Sequence, residues 1–440
     1  MPDKSDGHSI IGRGNAEGGR LFREWFATLS LAAERNEPTA YVFVMGSIAE
    51  ILRAFDIHLV FPEINSLQTA VRRVAHEYLN LAEDYGYSPD ICGYVKADIG
   101  VQLRQGAHPM GKIPKPTLAI LTNACNTYLK WGEIWERMYQ PRLFTLDAPG
   151  SRSLASQHWD VHHPDFERDR QYVEFQLREL IALCEEITGK PFDIDRLRET
   201  MRYTNAMSVA YERLLRANQS QPAPFNALNE GTIYLGVANA LRGTAEGAKY
   251  FQDLVEEMEY KAAHHIGTLP QEKYRLTFVG VPCYPIFRRF YELFSEWGGT
   301  FVNSTYMSFA TGGIDLGFQY DLNRPLESLA EGILLGLRRA MDAMFFQHQW
   351  LVDSIEPYHI DGIVYHPIKS CRTVSTGLAD NRRAVMATRD VATLFIESDM
   401  MDKRVVSEAQ MKNRIDAFFE GLATRRLAHS SQTTHALSTP

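Results

Sequence analysis

Residues 117–150 read TLAILTNACNTYLKWGEIWERMYQPRLFTLDAPG. Thr117 to Thr122 is a continuous apolar run of strand length, the mark of a strand buried on both faces. Trp131, Ile134, Trp135 and Met138 then recur at helical spacing on one face. Arg142 to Leu146 (RLFTL) is a second strand, closed by Asp147-Ala148-Pro149-Gly150. Strand, loop, helix, strand is a parallel α/β unit, because parallel neighbours need a long crossover between them.

The same grammar extends in both directions. Upstream, Phe22 to Glu34 predicts an apolar-striped helix after a loose, Gly-rich start. Tyr41 to Gly46 (YVFVMG) predicts a buried strand. Ile48 to Phe55 and Ser66 to Tyr85 predict helices, the second broken at Gly86. Downstream, Phe166 to Ile187 and Phe192 to Gln219 are long striped helices, stopped by Pro222, Pro224 and Asn226. A second block then follows: strand Arg275 to Val279, helix Ile286 to Glu296 and strand Thr300 to Val302. Strands Asp361 to Tyr365 and Ala392 to Ile396 flank a helical run around Asp380 to Arg389, and a helix from about Glu408 to Ala423 closes the fold. The expectation is an α/β fold with two parallel-sheet domains and additional helices. Its parts are an N-terminal arm and helix (1–35), a first α/β domain with a helical extension (36–225), a second α/β domain (226–425) and a flexible tail (426–440).

Composition bounds the function. The 440 residues carry 46 basic and 54 acidic side chains, a formal charge of −8, which discourages a broad nucleic-acid surface. No run reaches the 18 or so apolar residues of a membrane span, and Met1 to Arg20 lacks the hydrophobic segment of a secretory signal. A cytoplasmic protein is expected. Five cysteines, thinly spread, argue against a disulfide scaffold. There is no fixed-period repeat and no GxxxxGK[ST] loop. Gly298-Gly299 and Gly312-Gly313 form no GxGxxG, so an NAD-dependent dehydrogenase is rejected.

Four of the cysteines fall where an α/β sheet does chemistry, outside strand ends or in turns. Cys125 follows TLAILT, Cys283 follows LTFVG, Cys371 follows DGIVY, and Cys92 sits in the polar turn Tyr87 to Tyr94. Cys184 shares a helical face with Leu177, Leu180 and Ile187 and belongs to a core. No CxxC pair exists, so short-loop zinc and ferredoxin motifs are absent. The spacing leaves two readings for the other four: small buried fillers, or soft ligands gathered from distant loops.

The words around three of them decide. SPDICGYVKADIG (88–100), LTNACNTYLKWGE (121–133), GGIDLGFQYD (312–321), DGIVYHPIKSCRTVS (361–375) and FIESDMMDKR (395–404) stand in an order and spacing that resembles the 2-hydroxyacyl-CoA dehydratase and benzoyl-CoA reductase family. Echoes at Leu241-Arg242-Gly243-Thr244-Ala245 and Glu272 to Gly280 extend the resemblance over roughly residues 40 to 425. The wording is most similar to the larger core subunit of the ATP-dependent reductases.

The resemblance implies two Rossmann-like parts facing each other across a cluster crevice. It further implies a [4Fe-4S] cluster on Cys92, Cys125 and Cys371, with Cys283 and Cys184 outside the ligand set. The implied reaction passes electrons to the ring of benzoyl-CoA, giving cyclohexa-1,5-diene-1-carbonyl-CoA. Its implied partners are a homologous second core subunit, ATP-hydrolysing electron-activating subunits that carry ATP with Mg, and reduced ferredoxin upstream. A 2-hydroxyacyl-CoA dehydratase subunit and a non-catalytic electron-relay subunit are the alternatives. Residues near the cysteines divide between structure and function. His366 follows a strand end and is a candidate proton donor, or else an ordinary isolated histidine; Glu397 and Asp399, beyond the TLFIE strand, are candidates for a role near the site, or else a helix cap or salt bridge. Lys96 and Asp98 read as a surface pair, a cap, tuning groups or a domain contact, and Lys369 and Arg372 as solvated charges, as positive charge stabilising a reduced cluster or as contacts to CoA phosphates. Trp131 and Trp135 read as core.

Overall fold

The computed structural model describes residues 10–150 and 163–436. The expected loose arm and flexible tail lie partly outside them, at residues 1–9 and 437–440. Among the described residues ten strands run in chain order: β1 (Thr39–Tyr41), β2 (His58–Val60), β3 (Ala107–His108), β4 (Gly111–Lys112), β5 (Leu118–Thr122), β6 (Arg142–Leu146), β7 (Tyr274–Val279), β8 (Gly299–Ser304), β9 (Gly362–Tyr365) and β10 (Ala392–Phe395). β3 and β4 form a separate antiparallel pair. The rest form two four-stranded sheets, β2-β1-β5-β6 and β10-β9-β7-β8, parallel at every pairing. Counted from one edge within its own sheet, the first reads second, first, third, fourth; the other, read from its opposite edge, gives the same order. The α/β expectation with two parallel sheets holds.

The quoted stretch folds as its pattern demands. All five residues of β5 are buried, as a strand covered by helices on both faces requires. The crossover helix Asn126–Tyr139 buries Trp131, Ile134 and Trp135 and returns the chain to β6 in register, Ala119 opposite Leu143. Cys184 is fully buried on the helix Pro164–Thr188.

Other elements depart from the sequence reading. The first long helix runs Arg13–Arg35, through the Gly-rich segment expected to be loose. Gly14 lies so close to the helix Ala245–Ala263 that a Cβ there would collide with Leu254 Cδ1, and its amide donates to Glu257 at 2.7 Å. Close packing offsets the poor helix propensity of glycine, about 1 kcal/mol per residue. The single helix expected over Ser66 to Tyr85 is two, Pro62–Val71 and Ala75–Asp84, because Arg73 takes a left-handed φ of 63°. The last helix continues to Ala436. Pro325–Ile355 is a long helix the sequence reading did not place, and its Leu326, Leu329, Ile333 and Leu337 join the core of the first sheet. The loop at Pro222 is fastened down: Ala223 to Leu228 are buried, and Arg275 of β7 donates to the carbonyls of Asn218 and Ser220. Among the described residues no helix is long and apolar enough to cross a membrane.

Candidate active site between the two sheets

Three cysteines occupy the position just before a helix. Cys92 precedes Gly93–Leu103, Cys125 precedes Asn126–Tyr139, and Cys371 precedes the single turn Arg372–Ser375. All three line one cavity of about 70 Å³, which also receives Val44 from beyond β1, Val281 from beyond β7 and Tyr306 from beyond β8. The cavity therefore lies outside the C-terminal ends of both sheets, where open α/β sheets bind ligands. Cys125 of the first half touches the second, its Sγ 3.3 Å from Thr373 Oγ1. Gly93 permits the approach beside Cys92, since a Cβ there would meet Met401 Cβ at 2.7 Å. Cys283 is buried in the core of the second sheet and does not line this cavity.

Two opposing effects act on the thiols. Burial, then the nearby Cys371 sulfur, pushes the Cys92 thiol well above its ordinary value; amides of Val95 and Tyr94 pull it back. Burial pushes Cys371 up to about 12, against amides of Val374 and Thr373. Burial wins over the helix-start amides that would favour thiolate. At neutral pH these two thiols keep their protons unless a metal displaces them.

Among the described residues, no three His, Cys, Asp or Glu side chains converge on the one point a lone metal ion requires. A cluster differs, because each thiolate bonds a different iron and the sulfurs spread apart. The donor set fits that case: soft sulfurs, amides directed at two of them, and Ser370 Oγ buried on the cavity wall with no hydrogen-bond partner.

Buried charges hold the loops. Asp98, on the helix begun by Cys92, accepts from Trp131 Nε1 at 2.7 Å and Trp135 Nε1 at 2.8 Å, both on the helix begun by Cys125. One carboxylate thus couples two cysteine-bearing helices. Burial raises its pKa to about 6 despite hydrogen bonds from Gln102 and both indoles. Lys96 is only 1% exposed and donates to Glu83 at 2.9 Å and to the Pro89 carbonyl at 2.8 Å, fixing the turn before Cys92. Glu83 also takes Arg404 from the second half at 2.6 Å, and the two cations hold its carboxyl at about 2. Lys96 and Asp98 are therefore not a surface pair.

The candidate catalytic residues His366, Glu397 and Asp399 do not line the cavity. His366 is fully buried, with Nδ1 2.6 Å from the Val281 carbonyl and Nε2 2.6 Å from Ser398 Oγ, so both ring nitrogens are engaged. Burial holds it near 4, hence neutral. Asp399, also buried, accepts from the amides of Ser370, Met401 and Asp402 and secures the residue before Cys371. Glu397 is exposed and pairs with Lys369 at 3.2 Å. Arg372 lines the cavity and donates to the Lys369 carbonyl. Trp131 and Trp135 are core, buried beside Phe43.

Sequence reasoning passed over Glu63. It stands three residues beyond β2, 5% exposed, lining the thiol cavity. Its Oε2 accepts from the Val44 amide at 2.9 Å and its Oε1 from the Tyr128 hydroxyl. Burial raises its pKa to about 7 against both hydrogen bonds. The legible signal was a lone carboxylate in the apolar run Phe61-Pro62-Glu63-Ile64 at a strand end. Tyr306, whose hydroxyl accepts from Tyr284 at 3.0 Å, was likewise missed.

Comparison with known proteins gives the family. The family model described as 2-hydroxyglutaryl-CoA dehydratase, D-component, matches residues 47–422. One of the subunits of the benzoyl-CoA reductase of Thauera aromatica is 32% identical over 91% of this chain and 92% of its own length. The alpha subunit of (R)-2-hydroxyisocaproyl-CoA dehydratase from Clostridioides difficile is 25% identical over 92% and 95%. That of (R)-phenyllactyl-CoA dehydratase from Clostridium sporogenes is 26% identical over 90% and 92%.

Proposed function

The chain belongs to this family of CoA-thioester dehydratases and benzoyl-CoA reductases, and from that premise we propose that it is a core subunit of an ATP-dependent, ferredoxin-linked benzoyl-CoA reductase. The product is cyclohexa-1,5-diene-1-carbonyl-CoA. The observation that carries the reading is the trio Cys92, Cys125 and Cys371, each before a helix and all around one cavity between the sheets. These residues would hold a [4Fe-4S] cluster, which would supply single electrons at low potential for a ring activated by its thioester. ATP with Mg belongs to partner subunits in the cytoplasm, beside a homologous second core chain, with reduced ferredoxin upstream.

The chain's own residues handle protons. Each product needs two electrons and two protons. Glu63, half protonated at neutral pH, lines the cavity and is placed to hand a proton to a ring carbon. Phe43 stacks on Tyr128 with centroids 3.6 Å apart and, beside Trp131, backs the apolar wall of the cavity. His366 and Asp399 position the loop that carries Cys371.

The test is anaerobic reconstitution with the homologous core chain, the ATP-hydrolysing subunits and a reduced low-potential donor. The expected product is the dienoyl-CoA, two electrons per ring, with ATP hydrolysis tied to electron flow. Many turnovers of a 2-hydroxyacyl-CoA per electron, with benzoyl-CoA untouched, would establish the dehydratase reading that the 25% and 26% identical relatives favour. A reducible cluster with neither substrate consumed would establish an electron relay.

A further inference from the structure

A second cavity, of about 150 Å³, adjoins the first and shares Val44, Glu63 and Tyr306 with it. Its other walls are mostly apolar, among them Phe22, Leu67, Ile233 and Phe287. Two glycines leave its bore open. A Cβ on Gly19 would meet nothing nearer than Arg23 Nη1 at 3.5 Å, whereas one on Gly236 would press on the Phe22 ring at 3.1 Å. The passage runs from the surface between the helices Arg13–Arg35, Pro62–Val71 and Asn229–Ala240 to the buried carboxyl of Glu63.

Its mouth is basic. Arg23 borders Gly19, and Arg72 and Arg73 follow directly on Val71, another lining residue that is 37% exposed. The charge of Arg72 reaches His108, whose ring stacks on Phe26 at 5.4 Å, one helical turn from Phe22. All three arginines are exposed, and among the described residues none has an ion pair. Arg20 on the same helix, by contrast, is neutralised by Glu17 and Glu24. Three exposed arginines without an ion pair among the described residues, each beside a residue of the apolar bore in space or in sequence, on a chain of net charge −8, match a ligand with an anionic head and a slender uncharged arm.

We infer that this passage binds the pantetheine arm of a CoA thioester, with Arg23, Arg72 and Arg73 receiving the nucleotide phosphates and the acyl group lying at Glu63. The inference rests on the proposed function, because it takes the substrate to be a CoA thioester. It adds the route and the residues that recognise the nucleotide end.

The test measures binding of benzoyl-CoA and of S-benzoylpantetheine, which lacks the nucleotide, to the anaerobically purified full chain in its native assembly. The triple variant Arg23→Glu, Arg72→Glu, Arg73→Glu should weaken benzoyl-CoA about tenfold or more and leave benzoylpantetheine within about twofold. Gly19→Leu, which fills the bore at an otherwise open position, should weaken both ligands by about tenfold or more. Iron content and EPR spectrum should be unchanged in both. Wild-type binding that neither variant alters overturns the passage and leaves the proposed function standing. A wild type that binds no CoA thioester overturns both.

Discussion

After the second strand of its sheet, the first half enters the helix Pro62–Val71 and brings Glu63 to the cavity. After the second strand of the other sheet, the chain enters the short helix Thr305–Phe309 and brings Tyr306 to the same wall. After the third strands the parallel is closer: Cys125 lies three residues past β5 and Cys371 six past β9. The fourth strands differ most. Asp147 beyond β6 is exposed, whereas Asp399 beyond β10 is buried and caps the Cys371 loop. Cys92 enters from between the second and third strands of the first half only. One strand order, used twice, gives equivalent places at the sheet edges, and the loops assign each place its chemistry. The first half supplies two thiols, the titratable acid and the phenols of Tyr94 and Tyr128, and the second supplies one thiol, the phenol of Tyr306 and the clamp that aims its thiol.

The largest expected effect tests the equivalence of the third strands. Cys125→Ser and Cys371→Ser should each lose most of the cluster iron or change the EPR signal, while Cys184→Ser retains both. Equal iron and unchanged spectra in all three would end the assignment. Next comes the contrast at the second strands. Glu63→Gln should lower turnover about 100-fold or more with iron content intact, and should remove the limb of the pH–rate profile near 7. Tyr306→Phe, which keeps the wall and drops one hydroxyl, should cost much less; equal losses would break the distinction drawn between the two groups.

The same glutamate gives a stability test in the cluster-free chain. Folded Glu63 holds its proton up to about pH 7, against an ordinary value of 4.5, so between those values the folded state binds more protons than the unfolded. Its contribution is complete below about 4.5 and is lost as pH rises through 7, amounting to about 3 kcal/mol. Asp98, raised to about 6, acts in the same direction. His108 and His366, held near 4, act in the opposite one. The difference between wild type and Glu63→Gln cancels these, and denaturant titrations from pH 4.5 to 8 should show it shrinking with pH. A flat difference would refute the buried acid. The smallest effects belong to the fourth strands. Asp399→Ala should destabilise by about 1–3 kcal/mol, because three amides lose their acceptor, whereas the exposed Asp147→Ala should stay within about 1 kcal/mol.

Much of this was legible in the chain. Buried strands such as β5 and β7 announce themselves as short apolar runs, and Asn126–Tyr139 as a striped helix, because period and burial are local consequences of sequence. Cys184 was assignable to a core by periodicity alone. The glycines of Arg13–Arg35 misled the reading, since their value lies in contact with a helix some 240 residues away. For Lys96 and Asp98 the sequence left a surface pair, a cap and a tuning or contact role open, because their partners, Glu83 and two indoles, come from separate helices.

By itself the sequence determined the strands β5 to β10, most of the long helices, the two-sheet class and, through ordered motifs, the family, and it singled out three of the five cysteines. Only the tertiary structure decided that both sheets share a strand order and that their edges close on one cavity. It also decided that Glu63 sits there and that His366 and Asp399 face away as clamps. The physical reason is that strand and helix patterns follow from near neighbours along the chain. Burial, and with it the proton affinity of a carboxyl or a thiol, is set by what distant segments bring against it.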